Sequence, residues 1–169
     1  MSRWALLAGL LALGAAQADP GNAAPFAHCP GGVPKVDIQG RPIDAGFWRR
    51  GPVLAVFWSV DCGFCQRHNA SLDRILSERP GAAVLGVAVD EDPEAVRRAV
   101  ERRGYRFPII VDGSGDCALR PQLTARRLVP MTCWLGDAPT QPRCIPGEMS
   151  DDDLRSLLRD QVRSSRHSW

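Results

Sequence analysis

Residues 53–57 read Val-Leu-Ala-Val-Phe, and the run leads through Trp58, Ser59, Val60 and Asp61 into Cys62-Gly63-Phe64-Cys65. A stretch that is apolar at every position suits a strand buried on both faces of an α/β sheet. Beyond the second cysteine, Cys65, His68, Leu72, Ile75 and Leu76 recur at three- and four-residue spacing and share one helical face, which Arg79-Pro80-Gly81 brings to a stop. Strand, Cys-x-x-Cys and helix in that order put two thiols at a helix N-terminus. Unpaired backbone N–H groups and the helix dipole there stabilise a thiolate. The thiolate is the species that attacks disulfides, so the pattern makes the chain a candidate for thiol–disulfide exchange.

The rest of the chain alternates in the same manner. Residues 19–32 are rich in Pro and Gly and read as an irregular arm. Val36-Asp37-Ile38, a turn through Gln39-Gly40-Arg41-Pro42, and Ile43 predict a small hairpin. Residues 83–89 form a second buried strand, and residues 107–111 a third. Between them Asp92 and Pro93 open a helix as cap and first residue, Ala95, Val96, Ala99 and Val100 give its stripe, and Gly104 ends it. Residues 117–123 predict a short helix, and residues 131–135 and 143–145 the last strands. Ser150 caps a closing helix whose Asp151, Asp152 and Asp153 complement the dipole and whose Leu154, Leu157 and Leu158 face inward. This order gives an α/β domain with a mixed sheet.

At the N-terminus, Arg3, the apolar residues 4–16 and Ala16-Gln17-Ala18 fit a cleavable signal peptide over residues 1–18. The apolar run is short of the roughly 20 residues that span a bilayer, so an uncleaved anchor is the lesser reading. Without residues 1–18 the chain keeps 20 basic and 19 acidic residues, a balance that gives no basic patch for nucleic acid. All six cysteines follow the leader, which suits disulfides in an oxidising compartment. Besides Cys62 and Cys65, the other four allow three pairings. Chain order favours Cys133 with Cys144, across the turn-rich residues 136–142, and Cys29 with Cys117; buried free thiols are the alternative. No second pair stands at metal spacing, so no metal site is expected. His28, His167 and Met149 carry no assigned role, and Asp90, Glu91 and Asp92 read as a capping cluster.

Taken together, these segments resemble the exported thioredoxin-fold proteins of the TlpA/DsbE-like group. The resemblance rests on the hairpin at 36–43, the strand and Cys62-Gly63-Phe64-Cys65, the segment from Val84 through Asp92-Pro93-Glu94-Ala95-Val96, and Leu128-Val129-Pro130-Met131-Thr132. It implies a thioredoxin-like domain over residues 34–164, with a central mixed sheet flanked by helices, an N-terminal hairpin and a strand–helix insertion. The irregular arm is then 19–33 and the C-terminal tail 165–169. It also implies that Pro130 is cis and that Val129 offers its backbone to an extended client. The chain departs from the group's pattern at four places. Asp61 stands where Trp is frequent, Val56 where thioredoxins bury an Asp, Phe64 where Pro is frequent, and His68 where a Glu is common.

In this reading Cys62 attacks and Cys65 resolves. His68, one turn beyond Cys65, is placed to take the proton Cys65 must lose, or to stabilise a thiolate if protonated; the alternative is a core histidine bonded to backbone. Trp58 and Phe64 are expected at the rim that touches a client, with Trp58 alternatively in the core. The leading expectation is an exported, periplasmic thiol:disulfide oxidoreductase, monomeric, whose working group is the Cys62–Cys65 disulfide without another cofactor. The resemblance implies a reductant drawing electrons from a membrane thiol carrier, with apocytochrome c or copper-site assembly factors as typical clients. An oxidase or isomerase is the near alternative. A Cu(I) chaperone using Cys62 and Cys65 with His68 or Met131 is a second class. A peroxidatic activity is weaker, for want of a single cysteine in a Thr/Ser-rich loop.

Overall fold

The structure is a computed structural model that describes residues 26, 29–49, 51–89, 92–135 and 144–165. The leader, most of the arm, the 136–142 turn and the end of the tail lie outside these residues, as do His28, Asp90, Glu91 and His167.

A five-stranded sheet forms the centre, in the order β3-β2-β1-β4-β5. β1 (Val53–Trp58), β2 (Val84–Ala88) and β3 (Ile109–Val111) run parallel, and β4 (Met131–Leu135) and β5 (Cys144–Pro146) join antiparallel. Every residue of β1 is buried, as its unbroken apolar run requires. Strand periodicity splits it between two cores: Leu54, Val56 and Trp58 face one, Val53, Ala55 and Phe57 the other. The first core is closed by α2 (Gly63–Ser77), α3 (Pro93–Arg103) and α5 (Asp151–Ser165). The second is closed by Phe26, Ile43, α1 (Ala45–Arg49) and Leu119 of α4 (Leu119–Leu123). Large side chains such as Leu54, Leu85 and Ile109 are almost wholly buried, each contributing about 1.5–3 kcal/mol on leaving water. At Gly86 a Cβ would stand 2.7 Å from Ile109 Cγ1 and 2.9 Å from Phe107 Cε2, so only glycine lets β3 and its approach lie this close.

The helix signals operate as local chemistry requires. Asp92 accepts from the Glu94 N–H at 2.9 Å, and Gly104 closes α3 at φ 68°. Ser150 Oγ accepts from Asp153 N at 3.2 Å at the head of α5. The strand and helix read as an insertion are β2 and α3; the chain then returns through the edge strand β3. The expected small hairpin is present: Val36 bridges Pro42 antiparallel, with Asp37 N–H donating to Arg41 O at 2.9 Å and Ile43 N–H to Lys35 O at 2.8 Å. Its turn is braced by Asp37, whose buried carboxylate accepts from the backbone N–H groups of Gln39 and Arg41 and from Arg41 Nε. Ile38 N–H then reaches Ile109 O at 2.7 Å, pinning the segment to β3. Helix α1 was not expected; Asp44 Oδ1 caps it by accepting from Phe47 N–H at 2.8 Å, and Phe47 and Trp48 fill the second core.

Candidate active site

β1 ends at Trp58, and the chain turns through Ser59 and Val60 before α2 begins at Gly63. Gln66 Nε2 donates to Val60 O at 3.1 Å, and Cys62 N–H to Ser59 O at 3.3 Å, so the turn is held from both sides. Cys62 is the N-cap of α2. Its backbone is extended (φ −87°, ψ 106°), and its Sγ accepts from Cys65 N–H at 3.1 Å. A sulfur thus occupies the place where a Ser or Asp oxygen commonly satisfies an orphan N–H. The first turn of α2 carries no acidic residue that would oppose negative charge there. Cys62 is half-buried and Cys65 fully buried, and the two are joined in a disulfide. Only the first is presented to a partner.

The Val129–Pro130 peptide is cis. Cys62 Sγ lies 3.8 Å from Val129 O. A groove of about 660 Å³ runs beside this pair, bounded by Phe64, by residues 128–130 and by residues 146–150. Phe64 and Leu128 are 61% and 59% exposed, so two large apolar side chains flank the reachable sulfur. Arg67 stacks its guanidinium on Phe64, 4.8 Å from the ring centroid, and binds Glu148 in bidentate fashion at 3.0 and 2.7 Å. The ion pair raises the pKa of Arg67, mainly through its hydrogen bond to Glu148.

Two expected roles are corrected. Trp58 is wholly buried, edge-on to Tyr105 with centroids 6.0 Å apart. It shares the strand face of Leu54 and Val56, which points it into the core, so it forms no part of the rim. His68 is also wholly buried. Its Nδ1 accepts from Met149 N–H at 3.2 Å and its Nε2 lies 3.5 Å from Thr132 Oγ1. A backbone N–H can only donate, so the ring proton is assigned to Nε2. Burial pushes the pKa down to about 4, against a small opposing pull from Glu148. A ring whose lone pair is already engaged, and which stays neutral near pH 7, neither takes the Cys65 proton nor stabilises a thiolate by charge.

Of the other assigned residues, Val129, Pro130 and Phe64 come together with Cys62 at the groove. Arg67 and Glu148 join them without having been singled out, as do Leu128, named only within the segment around Pro130, and Met149, which had been given no role. Leu128 carried a usable signal as a large apolar residue two before the proline. Glu148 carried none, because Arg67 lies 81 residues away in sequence. The copper ligand set is not assembled: His68 is turned to Met149 and Thr132, and Met131 faces the second core, on the other side of the sheet from Cys65. Cys133 is bonded to Cys144, its direct partner across β4 and β5, and Cys29 to Cys117.

Known proteins resemble this arrangement in both sequence and fold. The chain is 27% identical to the thiol-disulfide oxidoreductase ResA of Geobacillus thermodenitrificans, over 72% of this chain and 70% of that protein. It is 28% identical to ResA of Halalkalibacterium halodurans, but over 45% of this chain, and it spans under half (44%) of that relative. Among solved structures, a secreted Mycobacterium tuberculosis disulfide oxidoreductase homologous to E. coli DsbE matches with TM-score 0.59 at 20% identity, covering 75% of this chain and 93% of that one. StoA from Bacillus subtilis matches with TM-score 0.58 at 17% identity, covering 73% and 93%. At such identities the structural likeness describes a shared thioredoxin-like fold. The AhpC/TSA family matches residues 20–126, a span that holds β1, both cysteines of the site and the parallel half of the sheet, and the chain therefore belongs to the AhpC/TSA family.

Proposed function

We propose that the chain is an exported thiol:disulfide oxidoreductase that reduces oxidised exported proteins, with the Cys62–Cys65 pair as its working group. The observation that carries this reading is Cys62 Sγ at the N-cap of α2, half-exposed, at the edge of an apolar groove beside Val129. In the reduced protein the Cys62 thiolate attacks one sulfur of a client disulfide. A Cys62–client mixed disulfide forms, and the client's other sulfur leaves as a thiolate. The Cys65 thiolate then attacks Cys62 Sγ. The Cys62–Cys65 bond forms and the client's second thiolate departs, so two electrons have passed to the client. A thiol donor of the membrane carrier class returns them.

The named oxidoreductase relatives support the reaction class, and the leader-like residues 1–18 support export to the periplasm. Among the described residues no helix is long and apolar enough to cross a membrane. Direction follows from the resemblance, with apocytochrome c or copper-site assembly proteins as the client type. The opposite direction is kept because the acids of the group's pattern are replaced by Val56 and His68; exposed Asp61 beside Cys62 disfavours the thiolate, hence the reduced form, and so favours the reductant.

Equilibration against glutathione and dithiothreitol series, with alkylation and mass mapping of Cys62 and Cys65, decides between them. A potential near thioredoxin's, about −270 mV, supports the reductant; one near that of DsbA, about −120 mV, makes the protein an oxidant or isomerase. A pair that does not exchange at all ends the enzyme reading.

A further inference from the structure

The far wall of the groove is the end of β5 at Pro146 and the connection to α5, residues 147–150, which has little regular structure of its own. Three contacts hold it. Gly147 N–H donates to Pro130 O at 2.8 Å, Glu148 is held by Arg67, and Met149 N–H is held by His68. The last two come from α2, the helix that also carries Cys62 at its cap and Cys65 in its first turn. Arg67 and Glu148 are 60% and 30% exposed, and solvent weakens such a pair. His68 is wholly buried, and removing its acceptor takes away the partner that the part-buried Met149 N–H has on α2. The imidazole therefore dominates the tie between redox helix and groove wall. Thr132, two residues past Pro130, meets the other ring nitrogen at 3.5 Å, so one side chain joins the helix, the wall and the strand that follows the cis peptide.

We propose that His68 is a positioning residue for client binding: by accepting Met149 N–H at Nδ1 and facing Thr132 through Nε2, it holds residues 147–150 at the distance from α2 at which a client segment fits beside Cys62. It touches no reacting atom; it shapes the groove and leaves the exchange to the cysteines. This rests on the oxidoreductase reading above.

The test is single-turnover oxidation of the reduced protein, quenched by alkylation. Two oxidants are used: hydroxyethyl disulfide, too small to fill the groove, and a short peptide carrying one disulfide flanked by apolar residues. Asparagine places an acceptor where Nδ1 stands, whereas glutamine reaches toward the Nε2 position and leaves Met149 N–H alone. His68→Gln is expected to raise the half-saturating peptide concentration about fivefold, the effect of one hydrogen bond. The ratio of peptide to hydroxyethyl disulfide efficiency falls with it, and His68→Asn restores both to near the native values. Thr132→Val, which removes the longer contact, is expected to raise half-saturation about twofold or less. Equal half-saturation in the native protein, His68→Gln and His68→Asn overturns the proposal. So does a parallel loss with both oxidants, which marks general damage. If His68→Gln fails to fold, Met149→Pro, which deletes the same N–H, takes its place and is expected to match it. Failure of the native protein to react with either oxidant refutes the oxidoreductase reading itself, a different result from any of these.

Discussion

The Cys62–Cys65 and Cys133–Cys144 disulfides attach to adjacent strands of one sheet yet have opposite surroundings. Cys62 stands at the N-cap of a fifteen-residue helix, half-exposed, beside the apolar groove. Cys133 is wholly buried in β4, bonded straight across to Cys144, with its side chain in the core on the far face of the sheet. A bond spanning three residues closes almost no loop. The bonds of Cys133–Cys144 and Cys29–Cys117 span 11 and 88 residues and constrain the unfolded chain by ~3 and ~4–5 kcal/mol in the chain-entropy description. Sulfur chemistry is common to the three. A helix N-terminus, access and a neighbouring groove make one pair reactive, and loop length with burial makes the others staples.

The sharpest way to break this contrast is to exchange the effects. Cys62→Ser is expected to lower client reduction by about a thousandfold or more, because the nucleophile is gone, with little change in urea midpoint. Cys65→Ser should instead accumulate the mixed disulfide, visible by non-reducing electrophoresis. Replacing Cys29 and Cys117 together by Ser is expected to do the reverse: a stability loss of ~4 kcal/mol in denaturant titration, with the potential of Cys62–Cys65 unmoved. A shifted potential there would mean that the two regions are coupled.

Acid should distinguish the two faces next. His68 has a pKa of about 4 in the folded protein against the ordinary 6.5. Between those values the unfolded chain binds the extra proton and the folded one does not, so stability falls as pH drops through that window, by ~3 kcal/mol at most for one such group. Denaturant titrations at pH 7 and near pH 4.5 should show it, and His68→Asn should flatten it. In hydrogen exchange the Met149 amide should lose protection before those of Cys133 and Cys144; simultaneous loss would make the two faces one cooperative unit.

Smaller effects belong to the rim. Phe64→Ala or Leu128→Ala should raise client half-saturation a few-fold, read by the same quenched assay, since each removes an exposed apolar contact. Arg67→Ala should leave the urea midpoint nearly unchanged, as befits an exposed ion pair.

What this chain shows in its sequence is what short-range physics governs. The unbroken apolar residues of β1, the three- and four-residue stripe of α2, Asp92 with Pro93, Gly104 and Ser150 act within a turn or a pleat, so strands, helices and the place of Cys62 could be read from them directly. The small hairpin at 36–43 was legible in the same way, whereas the Asp37 carboxylate that braces its turn is invisible to periodicity. Tertiary structure alone decided that Trp58 lies inward, that His68 meets the amide of Met149, 81 residues on, and that Glu148 closes on Arg67. Residue spacing along a helix says which side chains share a face. What covers that face depends on chain brought from far away, and whether a histidine works as a base or as a brace depends on what covers it.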